Sequence, residues 1–272
     1  MEKVIVSFVE ENEQLKDRLR RYYDLVVGLA LRDVKVRYQL SLLGLYWAVL
    51  NPLLMALIWS FVFTQIFNAR GPSGIPYMVF LFCNFAFWNL FANSLFTAVN
   101  CLTGNASLLT KLYFPRIILP TSSVMARLVD FGFSLIVLVV LMFFFKIMPA
   151  ANLWWLLILL IVQLIFTLGM AYIVASLNVL YRDVNQIVGI LLLLWMYLSP
   201  VLYTINQIPK HLQVYFIFNP IGQLVSMESG IVLGNGHVSI YALGITTAIS
   251  ICVFAIGLLV FRWLEPAFAE VM

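Results

Sequence analysis

The chain has 272 residues, 63% of them apolar and only 10% charged, with 16 Lys and Arg against 12 Asp and Glu. A soluble domain averages about 45–50% apolar and about 25% charged residues, so a soluble enzyme, a disordered segment and a nucleic-acid-binding module are poor readings and an integral membrane protein is implied. The charge is also unevenly spread: eight basic and seven acidic residues lie in positions 1–37, and the remaining 235 positions hold 13.

The charged head does not read as a signal peptide, because it keeps its charges through Arg37 where an apolar run would be needed. Within Tyr22–Tyr46, the residues Val27, Leu31, Val34, Tyr38, Leu42 and Leu45 recur at helical spacing. Arg32, Asp33, Lys35, Arg37 and Gln39 fall on the rest of the circumference. That pattern predicts an amphipathic helix lying in the membrane interface, with Asp33 and Arg37 spaced to pair. About 20 apolar residues of helix cross a bilayer. By that measure Trp47–Phe67, Tyr77–Asn100, Ser122–Phe145, Leu153–Leu180, Val184–Tyr203 and Ser239–Phe261 are six spans. Tyr181-Arg182-Asp183 leaves a very tight connection between the fourth and fifth. The expected fold is thus an all-α membrane protein, with residues 1–46 as a cytoplasmic head and interface helix and 47–272 as a six-span domain. With the N-terminus inside, twelve basic residues flank the spans on the cytoplasmic side and three, Arg70, Lys146 and Lys210, on the other. The positive-inside rule therefore puts both termini in the cytoplasm.

The segment 204–238 fits poorly as an exposed loop. It holds Val214–Phe218, then Asn219-Pro220, then the apolar Ile221–Leu233, each too short to cross. Asn-Pro suits a helix start. A re-entrant structure near a pore and an interfacial hairpin are both open for it, since irregular backbone at membrane depth needs protein or a cavity around it.

Chemistry that would power transport is absent from the sequence pattern. Arg127 and Asp130, spaced i,i+3 near the start of the third span, read as a structural pair. Asn84, Asn89 and Asn93 read as interhelical hydrogen bonders. His211 and His237 have no neighbours at metal-ligand spacing. Cys83, Cys101 and Cys252 form neither a disulfide framework nor a zinc pattern, so no metal site is expected. There is no GxxxxGK[ST], so no nucleotide cofactor is expected on this chain, and no catalytic residue stands out. The 22 Phe, 12 Tyr and 7 Trp serve interfacial belts and helix packing. Trp88 and Phe91 lie deep enough in their span to offer ring faces to sugars in a conduit instead.

Three blocks carry a resemblance. The first is Leu31-Arg32-Asp33-Val34-Lys35-Val36-Arg37-Tyr38 followed by Leu43-Gly44-Leu45-Tyr46-Trp47-Ala48-Val49-Leu50-Asn51-Pro52. The second is Lys111-Leu112-Tyr113-Phe114-Pro115-Arg116-Ile117-Ile118-Leu119-Pro120. The third runs from Leu177-Asn178-Val179-Leu180-Tyr181-Arg182-Asp183-Val184 to Tyr197-Leu198-Ser199-Pro200-Val201-Leu202-Tyr203. In order and spacing they resemble polysaccharide-export permeases of the ABC-2 type, the membrane subunits of O-antigen and teichoic acid exporters. Residues 1–21 are the least covered.

The resemblance implies a homodimer of permeases with two separate ATPase subunits, which bind ATP and magnesium. It implies location in the bacterial cytoplasmic (inner) membrane and a lipid-linked polysaccharide substrate on a polyprenyl diphosphate. Arg32, Asp33, Lys35, Arg37, Lys111, Tyr113, Phe114, Pro115 and Arg116 become the ATPase-coupling surface. Ile208–Leu233, with Pro209, Asn219 and Pro220, becomes the outer gate. Arg32, Lys35 and Arg37 are candidates for the carrier diphosphate, whose lipid tail would stay in a side opening between the first and fifth spans. Trp59, Phe63, Trp88, Phe91, Trp195 and Tyr197 are candidates for the sugar pathway. The rival expectation is an ABC-2 permease for a drug or free lipid; plain positive-inside anchoring is the rival for the basic clusters.

Overall fold

A computed structural model describes residues 2–39, 44, 46–111, 114–234, 236 and 238–268. Among these residues ten α-helices follow one another: α1 Glu2–Tyr38, α2 Tyr46–Phe67, α3 Tyr77–Val99, α4 Ala106–Lys111, α5 Ile118–Phe144, α6 Trp154–Leu180, α7 Val184–Leu198, α8 Lys210–Phe216, α9 Pro220–Val232 and α10 Ile240–Leu264. Short 3₁₀ turns punctuate the connections, and no strand occurs among the described residues. The protein is an all-α membrane protein. Helices α2, α3, α5, α6 and α10 are long and apolar enough to span.

The fifth expected span, Val184–Tyr203, begins with helix α7. It stops at Leu198 after 15 residues, about 22 Å at 1.5 Å per residue against a hydrocarbon core of about 30 Å. Pro200 accounts for the stop, because a proline disfavours helix at the residue before it and cannot donate to the next turn. The chain then continues unwound, with Ser199, Val201 and Leu202 all buried. Backbone in that state needs partners inside the protein. Helix α3 supplies them: Asn84 Nδ2 donates to the Val201 carbonyl at 2.8 Å, and the Tyr77 hydroxyl donates to the Leu202 carbonyl.

Helix α3 is the centre of the bundle, packed by α2, α5, α6, α7 and α9. Its Phe82, Phe87 and Phe91 have no exposed surface. Helix α10 lies along α6. Their axes meet at two glycines: a Cβ on Gly257 would stand 2.3 Å from the Gly169 carbonyl oxygen, and one on Gly169 would stand 2.6 Å from the Phe254 Cα. Only residues without a side chain allow that backbone approach.

Helix α1 runs well beyond the expected interface segment, as 37 continuous residues. Its C-terminal part docks on α5. Of the expected apolar stripe, Leu31 remains exposed while Val27, Val34 and Tyr38 are half-buried. Leu42 and Leu45 lie outside the described residues.

Candidate functional site

Hydrogen bonds between chain segments identify two ends of the bundle. At one end Arg32 reaches Asn105, Asn100 reaches Asn185, and Arg116 Nη1 donates to the Glu265 carbonyl at 2.8 Å. This end gathers α1, the segment after α3, the starts of α5 and α7, and the end of α10. At the opposite end the Ala150 N–H donates to the Ile231 carbonyl at 3.0 Å, and α3 begins beside the unwound segment 199–203.

An ion triad ties α1 to α5 near the charged end. Asp130 Oδ2 accepts from Arg37 Nη1 at 2.6 Å and from Arg127 Nη1 at 3.0 Å, while Oδ1 accepts from the Tyr38 hydroxyl at 2.8 Å. The Arg127–Asp130 pair expected from the sequence is present. The Asp33–Arg37 pair is not: Asp33 meets Arg32 at 3.0 Å, because Arg37 turns to the partly buried Asp130. Burial, and then the hydrogen bond to Asp130, raise the Tyr38 phenol above its ordinary pKa, so it remains a donor at neutral pH. The other guanidinium edge of Arg127 bonds the Thr97 hydroxyl on α3, at 2.8 Å from Nε.

Two cavities meet at this triad. An inner one of about 320 Å³ is lined by Arg37, Tyr38, Arg127 and Asp130, by Asn89 and Asn93 of α3, and by Trp47, Asn51 and Pro52 of α2. An outer one of about 630 Å³ is lined by Arg32, Asp33, Thr97, Asn100, Asn105 and Ser123, and again by Arg37 and Arg127. Asn89 and Asn93, expected as interhelical bonders, line this open space, and among the described residues Asn84 is the one of the three whose side chain bonds another segment.

Aromatic residues form two rows. Trp88, Phe91, Phe166 and Trp195 make one, with Phe91 edge-on to Trp195 at 5.4 Å and stacked with Phe166 at 5.6 Å. Trp59, Phe63, Tyr77 and Tyr197 make the other; Trp59 lies edge-on to Tyr197 at 6.4 Å and beside Phe63 at 5.7 Å. Trp88 and Phe91 are buried within the chain, so they buttress rather than line any passage that this protomer offers. Of the six candidates, Tyr197 is exposed and Trp59, Phe63 and Trp195 are half-buried.

The expected helix start at Asn219-Pro220 is observed. Asn219 Oδ1 caps α9 by accepting the Gly222 N–H at 3.1 Å, and it also accepts Trp195 Nε1–H at 3.0 Å. Its Nδ2 donates to Ser199 Oγ at 2.9 Å. One side chain thus binds the end of α7 to the start of α9. Pro209 is exposed ahead of α8. Helix α9, 13 residues long, is buried against α3, α6 and α10. It is a short helix packed inside the bundle rather than an exposed loop.

Comparison with known proteins decides the family. The ABC-2 type transporter family model matches residues 25–233. The chain belongs to the ABC-2 type transporter family. It is 31% identical over 260 residues to an O-antigen export system permease protein RfbA of Klebsiella pneumoniae, covering 95% of this chain and 99% of that one. A second Klebsiella pneumoniae protein of that name is 30% identical over the same coverage. An RfbA of Myxococcus xanthus is 33% identical over 195 residues, 72% of this chain and 74% of that one. This ABC-2 chain is the membrane subunit of a transporter whose ATPase is a separate partner.

In this ABC-2 subunit the residues expected for coupling divide into two groups. Arg32 lies beside Asn105, which joins α1 to the segment leading into α4, and Lys35 is exposed nearby. Phe114 packs with the cluster around Phe261 and Phe268, so the half-buried Phe114, Pro115 and Arg116 belong with the end of α10. Tyr113 and the Lys111 side chain lie outside the described residues. Sequence reasoning missed Glu228. It is completely buried on α9, and neither carboxylate oxygen has a hydrogen-bond partner among the described residues. A burial signal was present: Leu224, Glu228 and Ile231 are spaced i, i+4, i+7 and share one helix face. An unpaired carboxylate there would cost several kcal/mol.

Proposed function

We propose that this ABC-2 permease exports a lipid-linked polysaccharide of the O-antigen kind across the cytoplasmic membrane. The carrying observation is similarity along essentially the full length of two O-antigen export permeases. Two copies work with two ATPase subunits, and both termini lie in the cytoplasm, where the basic residues concentrate. The charged end, with Arg32, Asp33 and Lys35 on α1 and the segment through Arg116, receives the ATPase. The diphosphate of a polyprenyl carrier meets the same end, with Arg32, Lys35 and Arg37 as the first candidates. Motion of the ATPases shifts α1, and through the Asp130 triad shifts α5. Sugars then pass the exposed Tyr197 and the half-buried Trp59, Phe63 and Trp195, with Trp88 and Phe91 behind them. The α8–α9 segment, pinned by Asn219, closes the outer side.

The test is to purify the permease with its ATPase and measure ATP hydrolysis with lipid-linked glycan, alongside surface glycan in cells lacking the gene. Stimulation by the glycolipid and loss of surface glycan are expected. Stimulation by drugs or free lipid alone, with surface glycan intact, would overturn the reading.

A further inference from the structure

Polar side chains on a buried membrane helix are costly unless something binds them. Helix α3 carries Asn89, Asn93 and Thr97 at i, i+4 and i+8, one above another on a single face. Thr97 holds Arg127. Among the described residues the side-chain amides of Asn89 and Asn93 have no hydrogen-bond partner, and both line the inner cavity. Beside them the triad has two cations for one anion, a local charge of +1. Among the described residues Arg37 commits one of its five N–H donors, to Asp130, and the other donors of a guanidinium fork match phosphate oxygens. Surplus positive charge, spare donors and two unpartnered amides thus surround a cavity of ligand size. Arg37 and Arg127 also line the outer cavity, so an anion can approach them from the charged end.

The remaining wall fixes the lipid side. Trp47 and Pro52 of α2 close the inner cavity, and α2 is otherwise mostly exposed. An isoprenoid tail can therefore leave beside α2 while its headgroup stays among polar groups. Lys35 lines neither cavity.

We infer that the inner cavity is the headgroup site for the diphosphate of a polyprenyl lipid, held by Arg37 and Arg127 with Asn89 and Asn93 completing its shell. This rests on export of a glycan carried on a lipid diphosphate, and it moves the site from the exposed face of α1 into the groove between α1, α3 and α5.

The experiment measures binding of radiolabelled polyprenyl diphosphate to the permease–ATPase complex in nanodiscs. Competitors are inorganic pyrophosphate, phosphatidylglycerol and polyprenyl monophosphate. The double variant Asn89→Leu, Asn93→Leu fills the cavity without touching the triad, and should bind at least about tenfold more weakly while still assembling with the ATPase. Arg127→Gln should weaken binding as well, and Lys35→Gln should not. Wild-type affinity in the Asn double variant overturns the site. So does equal competition by phosphatidylglycerol, which would make it an ordinary lipid contact, or by inorganic pyrophosphate, which would make it a free phosphate site. If the wild-type complex binds no polyprenyl diphosphate at all, it is the substrate reading of the preceding section that fails.

Discussion

Helices α2 and α3 are both uncharged, apolar and long enough to cross a membrane, but they occupy opposite situations. In α3 83% of the span is buried inside the chain, against 11% in α2. Lipid-compatible composition says that a helix can live in the membrane and nothing about which helices surround it. The two differ in their minor residues. Helix α3 mixes rings with Cys83, Asn84, Ala86, Ala92 and Ser94, small or polar groups suited to close neighbours on every side. Among its described side chains, helix α2 inserts only Pro52 and Ala56 fully, and leaves Leu54, Met55, Leu57, Ile58 and Phe61 outside. Its free face is available to lipid or to a second copy.

The most direct way to break this comparison is to delete a ring from each helix. Phe82→Ala in α3 should cost about 3–5 kcal/mol, the usual range for truncating a buried aromatic residue. Phe61→Ala in α2 should change stability by less than about 0.5 kcal/mol. Denaturation of the purified protein in mixed micelles measures both. Equal losses would mean that α2 is as tightly embedded as α3.

Polar residues sharpen the contrast at a smaller scale. Asn84→Leu on α3 removes the donor for the Val201 carbonyl and leaves a buried acceptor in the unwound segment, which should cost about 1–3 kcal/mol. Gln65→Leu on α2 alters an exposed side chain and should be close to neutral. The same unfolding measurement decides, and a neutral Asn84→Leu would show that Val201 finds another partner.

Much of this arrangement was legible in the sequence. The boundaries of α2, α3, α6 and α10 follow from uninterrupted apolar length, and the start of α9 follows from Asn219-Pro220. What escaped was set by tertiary contact. Asp33 and Arg37 have ideal spacing to pair, but spacing cannot reveal that Asp130, 93 residues away, offers Arg37 a less exposed partner. Ser199-Pro200 was visible, but a broken helix end within the membrane is stable only because Tyr77 and Asn84 happen to face it. Trp88 and Phe91 were read as pathway residues from their depth in the span. Depth is shared by residues that face a conduit and residues that face the core; Phe91 is enclosed by Phe166 and Trp195, and Trp88 packs on Phe91. Glu228 escaped for a related reason: an apolar run with one carboxylate suits a re-entrant and an interfacial helix alike, and only the packing of α9 on three sides encloses that carboxylate.

Trp195 carries the finest form of the comparison, because it joins the central helix to the outer segment. Its ring lies edge-on to Phe91 of α3, and its Nε1–H donates to Asn219, the residue that caps α9 and holds Ser199. Trp195→Phe keeps an aromatic face against Phe91 but removes the donor. Asn219 Oδ1 retains the Gly222 N–H, so the cap itself survives, and the loss should be about 0.5–1.5 kcal/mol. Trp59→Phe on α2 provides the control. Trp59 is half-buried and meets Phe63 and Tyr197 through ring contacts, without a hydrogen bond from its indole nitrogen among the described residues, and the change should lie within about 0.5 kcal/mol. Hydrogen exchange over α9 separates the two variants. Faster exchange in Trp195→Phe and no change in Trp59→Phe is expected, since only the first loosens the connection through Asn219. If both leave α9 untouched, then Ser199 and the Gly222 cap alone hold the start of α9, and the end of α7 can move without carrying α9 with it.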